Sequence, residues 1–92
     1  MVDFEWDPEK DRSNQGKHGV SFAEAATVFG DPLARMVLDP REFEGEYRSA
    51  TTGYTSGRRL LVVWHTERNE RVRIIGAREA TPRERRDYES EA

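Results

Sequence analysis

The longest uninterrupted apolar run in this 92-residue chain is five residues, Leu60-Leu61-Val62-Val63-Trp64. A membrane span takes about 18 such residues. A short run that is apolar at successive positions instead suits a strand buried on both faces, at the centre of a sheet. The rest of the chain has to be organised around that strand, because charged residues make up 36% of the sequence and hydrophobic ones 35%. Those charges nearly cancel, with 15 basic and 18 acidic residues and a net charge of −3. Disordered chains combine few aromatics with high net charge, whereas this one carries four Phe, two Trp and three Tyr. A single folded domain over residues 1–92 is expected, and one of that size buries only about two-thirds of its unfolded surface.

Turn and capping residues divide the chain. Phe4-Glu5-Trp6 reads as an opening strand. Asp7-Pro8 then starts a helix, since aspartate caps and proline has no N–H to leave unpaired at the first position. That helix runs to about Lys17, and Gly19 supplies the left-handed residue that ends it. Ser21-Phe22-Ala23-Glu24 has the form of a capping box, and Phe22, Ala25 or Ala26, and Phe29 follow helical spacing until Gly30-Asp31-Pro32. From residue 33 the period becomes two. Strands are expected over 34–38, 46–55, 59–66 and 71–78, with a loop at 39–45, and Thr81 or Pro82 opens a last helix. The fold class is α+β, in the order β-α-α-β-β-β-β-α, with an antiparallel sheet, an N-terminal helical hairpin and a C-terminal helix.

The charge is unevenly placed. Residues 1–46 carry 5 basic and 11 acidic side chains, and residues 47–92 carry 10 and 7. The ten basic residues of the second half are all arginine. The planar guanidinium fork matches phosphate oxygens in pairs, which lysine cannot do, and a basic surface is the usual footprint for nucleic acid. Arg58, Arg59 and Arg73 are accordingly RNA-binding candidates. With no cysteine, disulfides, thiolate zinc sites and a cysteine nucleophile are excluded. Two histidines argue against a metal site, and no cofactor is expected. Gly-rich phosphate loops and the nucleophile elbow of hydrolases are absent from the sequence. The acidic N-terminus has neither the basic nor the apolar region of a signal peptide, so the chain is expected in the cytoplasm.

Polar residues at element ends remain as candidates for chemistry: Lys17 and His18 closing the first helix, Glu46 and Arg48 at i and i+2 on one strand face, Arg68 in a turn, and Arg73 and Arg78 on the last strand. Cleavage of RNA needs a base for the 2′-hydroxyl, cations around the phosphorane and an acid for the 5′-oxygen. Glu46 or His18 could be the base and arginines the stabilisers. RNA carries its own nucleophile, so no metal is required. Plainer roles stand beside these: His18 capping its helix, Glu46 paired with Arg48, Arg78 paired with Glu79 or an acid of the last helix, His65 as a satisfied core histidine, and Trp6 and Trp64 as core. A non-catalytic basic module that docks an acidic protein or nucleic acid is the alternative function.

Several strings, in order, resemble the BrnT toxin family. They are Trp6-Asp7-Pro8-Glu9-Lys10, Asn14-Gln15-Gly16-Lys17-His18-Gly19-Val20-Ser21-Phe22, Val28-Phe29-Gly30-Asp31-Pro32, Glu46-Tyr47-Arg48, Ile74-Ile75-Gly76-Ala77-Arg78-Glu79-Ala80 and Glu84-Arg85-Arg86-Asp87-Tyr88-Glu89. The resemblance implies a RelE-like fold and a ribonuclease toxin of a type II toxin–antitoxin pair. It further implies a BrnA-like ribbon-helix-helix antitoxin, a heterotetramer with it, and a complex that reaches operator DNA through the antitoxin and represses its own operon. By position it points to Lys17, His18, Glu46, Arg48, Arg68 and Arg78 as the catalytic set.

Overall fold

The computed structural model describes residues 2–43 and 45–91. Strand β1 (Phe4–Glu5) leads into helix α1 (Pro8–His18), then α2 (Phe22–Ala26), a 3-10 turn (Thr27–Gly30), strands β2 (Arg35–Phe43), β3 (Glu46–Tyr54), β4 (Leu60–Arg68) and β5 (Arg71–Glu79), and helix α3 (Pro82–Glu91). The expected order is the observed one. The sheet order is β1-β5-β4-β3-β2. Four strands form the antiparallel meander, but β1 joins β5 in parallel, so the sheet is mixed. The run Leu60–Val63 lies in β4, the middle strand with two on either side, and all four residues are buried. No helix among the described residues is long and apolar enough to cross a membrane.

The local signals act as their chemistry dictates. The Asp7 carboxylate accepts the Glu9 N–H at 2.9 Å, and Gly19 ends α1 at φ 67. Ser21 Oγ accepts the Glu24 N–H at 3.0 Å. The Glu24 carboxylate, however, is taken by Arg59 at 3.0 Å, so the expected reciprocal box is replaced by a long-range ion pair. A complete box forms on α3: Thr81 Oγ1 accepts from Glu84 N at 3.1 Å, and Glu84 accepts from Thr81 N at 2.8 Å.

Two differences from the sequence reading concern strands. Strand β2 runs on through Asp39 and Pro40, where a loop is expected, with its register to β3 shifting between Leu38 and Glu42. Pro40 is tolerated because β2 is an edge strand, where a missing N–H costs no second ladder. Glu44, also in that expected loop, lies outside the described residues. In β5 the register passes from Gly76 opposite Trp64 to Ile74 opposite His65, leaving Ile75 as a bulge. The core positions Ile74 and Ala77 are therefore three apart, 1% and 3% exposed. Arg73 and Arg78, which regular alternation places on opposite faces, share the face away from the core.

One face of β4 and β5 packs on α2 and the residues just before it, and the core is Val20, Phe22, Ala25, Val28, Leu61, Val63, Ile74 and Ala77. Trp6 and Phe29 pack at its margin. His65 is buried, shares a 2.7 Å hydrogen bond between its Nε2 and Thr51 Oγ1, and meets the Phe29 ring edge-on at 4.9 Å. It is the satisfied core histidine that the sequence suggested. Helix α1 runs beside β5 past the end of the two-residue β1. There the buried Asn14 replaces a strand: its Nδ2 donates to Ala77 O at 2.8 Å and to Val20 O at 2.9 Å, and its Oδ1 accepts from Ala77 N at 3.2 Å. Helix α3 crosses the other face at the Leu60–Val62 end. It is held there by Tyr88, whose hydroxyl donates to Asp31 at 2.6 Å and whose ring meets Tyr54 edge-on at 5.5 Å. Burial opposes ionisation of Asp31, but its bonds from Tyr54 N–H, the Tyr88 hydroxyl and Leu33 N–H outweigh that and hold its carboxyl below the usual range.

Two expectations follow. Asn14→Ala strands both backbone groups of Ala77 in a buried position and should cost roughly 2–4 kcal/mol in urea unfolding; a loss under 1 kcal/mol would show that the edge is held by other means. Burial pushes His65 down from 6.5 to about 4. Between those values the unfolded chain binds the proton and the folded one does not, so stability falls as pH drops from 6.5 to about 4. Thermal melts across that window should show a decline that His65→Gln flattens.

A cationic pocket on the open face of the sheet

The face of the sheet away from α1 and α2 is covered by α3 only at one end. At the other end seven residues line a small pocket of about 110 Å³: Lys10, Glu46, Arg48, Thr66, Arg68, Arg73 and Ile75. Alternation assembles it. Glu46 and Arg48 project from one face of β3, Thr66 and Arg68 from the same face of β4, and Arg73 and Ile75 from β5, where Thr66 and Arg73 are register partners. Lys10 reaches the rim from α1, which flanks β5. A water occupies about 30 Å³ of liquid, so the pocket suits a small oxyanion with a few waters.

Four cations and one carboxylate give the pocket its character. Arg68 Nη2 donates to Glu46 Oε2 at 2.8 Å, with both side chains nearly half exposed. The same-face pair expected between Glu46 and Arg48 is thus a cross-sheet pair with Arg68, made possible because the β3 and β4 ends lie side by side. Arg73 Nη1 donates to Glu5 at 2.9 Å, which fixes its fork beside β1. Thr66 is 8% exposed, and its buried Oγ1 has no hydrogen-bond partner among the described residues. A cationic lining of this kind attracts phosphate oxygens and repels a divalent cation.

Of the sequence candidates, Glu46, Arg48, Arg68 and Arg73 converge here. The others do not. Lys17 and His18 are exposed on the last turn of α1. Seven residues at 1.5 Å each put Lys17 roughly 10 Å along the helix from Lys10. Arg58 and Arg59 sit in the turn before β4, and nine strand residues at about 3.3 Å place that turn roughly 30 Å from Arg68. Arg59 is also occupied, by Glu24 and by Gly19 O. Arg78 shares the pocket's face but is clamped: its two terminal nitrogens donate to the two oxygens of Glu84 at 2.7 and 3.0 Å. The Arg78 guanidinium, followed by Thr81, holds the Glu84 carboxyl down at about 2. Arg78 therefore fastens α3 to the sheet, the plainer of its two sequence readings. Sequence reasoning missed Lys10 and Thr66 as site residues. Their signals were a shared helix stripe with Lys17 and the i, i+2 relation to Arg68.

These features define a small α+β domain that presents a cationic pocket on the exposed face of its sheet. The sequence matches the profile of the family described as "Ribonuclease toxin, BrnT, of type II toxin-antitoxin system" over residues 6–84, and the chain belongs to that family. Among solved structures it is similar to the 1.1 Å crystal structure of the Brucella abortus ribonuclease toxin, BrnT. That match has a TM-score of 0.63 and 20% identity, and covers 88% of this chain and 99% of that one. At such identity the likeness concerns the fold. No curated protein sequence matches the chain.

Because Arg78 and Glu84 act as one pair, Arg78→Ala and Glu84→Gln should each cost about 1–2 kcal/mol in urea unfolding. The double variant should cost little more than either alone. Additive losses would separate the two roles.

Proposed function

We propose that the chain is a metal-independent endoribonuclease that cleaves RNA at the pocket formed by Glu46, Arg48, Arg68, Arg73 and Lys10. What carries this reading is the convergence of three guanidinium groups and one carboxylate, from three strands, on an oxyanion-sized space. Membership in the family implies an RNA substrate and an antitoxin partner.

In this mechanism a phosphodiester of single-stranded RNA enters the pocket. Arg48 and Arg73 face its non-bridging oxygens. Arg68 holds Glu46 by Oε2, which leaves Oε1 to take the proton from the 2′-hydroxyl. The 2′-oxygen attacks the adjacent phosphorus, the bond to the 5′-oxygen breaks, and that oxygen takes a proton from the Lys10 ammonium or from water. A guanidinium is a poor acid at this step because it does not give up its proton in proteins. The products are a 2′,3′-cyclic phosphate and a 5′-hydroxyl, and protons and charge balance without a metal ion. The arginines act because negative charge gathers on the phosphorane, where one aimed donor is worth about 3–4 kcal/mol.

In the cell the same chain is neutralised in the cytoplasm by a BrnA-like ribbon-helix-helix antitoxin. The two form a heterotetramer that binds operator DNA through the antitoxin and represses the operon. Finding an adjacent reading frame with a ribbon-helix-helix pattern would support this part, and its absence would count against it.

Incubation of the purified chain with end-labelled RNA should yield cyclic-phosphate ends, with or without chelator. Glu46→Gln, Arg48→Ala and Arg73→Ala should each slow cleavage roughly 10²–10³-fold. Loss of activity with chelator would remove the metal-independent mechanism. Salt-sensitive RNA binding with no product would favour the non-catalytic module.

A further inference from the structure

The register of the sheet arranges its open face in rows. The first row carries the pocket, with Thr66 opposite Arg73 and Arg48 beside them. The third row is Arg35, Thr52, Val62 and Arg78, in register across four strands. It lies beneath α3: Val62 is buried, Arg35 Nη1 donates to Asp87 O at 3.5 Å, and Arg78 is clamped by Glu84. Between them runs a second row with no charge in it: Val37 opposite Ala50, Ala50 opposite Trp64, Trp64 opposite Gly76.

Trp64 is the one large aromatic of that row, and its immediate neighbours on both sides are the two smallest side chains available. It is half-buried and lies outside the core cluster, contrary to the core role that its sequence context suggested. The fold does not demand glycine at 76. Its φ lies outside the left-handed range, and an added Cβ would come no nearer than 4.0 Å to another group, Asn14 Oδ1. The missing side chain leaves space beside the indole. The Arg78 guanidinium carbon lies 5.1 Å from the indole centroid, and Arg78 belongs to the α3 side of the row. The pocket lies on the other side, starting at Thr66. Two residue steps along β4 take Trp64 to Thr66, roughly 6.6 Å, a distance that one nucleotide can bridge between phosphate and base.

We propose that Trp64 is a stacking platform for a nucleobase of single-stranded RNA whose phosphate occupies the pocket. Arg78 backs the indole, and Gly76 and Ala50 keep its flanks clear. The choice of ligand rests on the nuclease reading above. Stacking on an aromatic face accepts any base, so the platform fixes the position of the chain and not its sequence. Arg78 is then a positioning residue: anchored by Glu84, it holds the ring through a cation–π contact.

The test compares two probes by fluorescence anisotropy. One is a 2′-O-methyl uridine pentanucleotide, whose blocked 2′-oxygens cannot attack, and the other is the same backbone without bases. The wild-type chain should bind the first roughly 5–100-fold more tightly than the second. Trp64→Leu, apolar but without a π-face, should bring that ratio close to one, while Trp64→Phe keeps most of it. Gly76→Val, which fills the ledge beside the indole, should also collapse the ratio, and it carries the test if Trp64→Leu fails to fold. A wild-type ratio in a folded Trp64→Leu, or in Gly76→Val, would overturn the platform. A wild-type chain that cleaves RNA but ignores the bases would overturn it and spare the nuclease. One that discriminates the bases but cleaves nothing would overturn the nuclease and support the platform.

Discussion

The structure depends on the way one buried amide finishes the sheet. Strand β1 is only two residues long, so β5 is left with an unpaired outer edge where it passes beneath α1. Asn14 closes that edge by giving Ala77 both a donor and an acceptor, and spends its second N–H on Val20. A buried peptide group without partners costs as much as a lost hydrogen bond. The three bonds therefore do more than stabilise: they fix how far along β5 the helix sits. That setting brings Lys10 to the pocket and carries Lys17 and His18 away from it.

Elements with a local cause were legible in the sequence. Asp7-Pro8, Gly19 and Ser21 set their helix ends through neighbours a few residues away, and the run Leu60–Val63 announced the central strand. The parallel pairing of β1 was not legible, because two residues carry no periodicity. The extension of β2 through Pro40 was hidden too, since a proline reads as a break unless the strand is known to lie at an edge. At the site, Glu46 and Arg48 were readable as a same-face pair from their spacing. Whether an arginine serves the pocket or the fold was not. That depends on which carboxylate stands within reach: Glu24 for Arg59, 35 residues away in sequence, and Glu84 for Arg78. Only strand pairing and helix docking decide such partners.

The partners also sort the arginines by purpose. Arg59 and Arg78 are each held by acids on a helix, and they tie α2 and α3 to the sheet. Arg68 and Arg73 are held by Glu46 on β3 and Glu5 on β1, within the sheet itself, so their forks stay on or beside the pocket. A net charge of −3 conceals this division. The acidic half of the chain supplies the counter-charges for Arg59, Arg68 and Arg73, while Arg78 takes its partner, Glu84, from the basic half itself.

The bulge at Ile75 gives the length of β5 a meaning of its own. Because one residue is left out of the pairing with β4, Arg73 and Arg78 look out from the same side while Ile74 and Ala77 both look in. Were every residue from Arg73 to Arg78 paired with β4 in turn, without the bulge, alternation would turn one arginine into the apolar interior, although no amino acid had changed. Between Arg73 and Arg78 it is the one unpaired residue, and no side chain, that lets an odd sequence separation serve a single face.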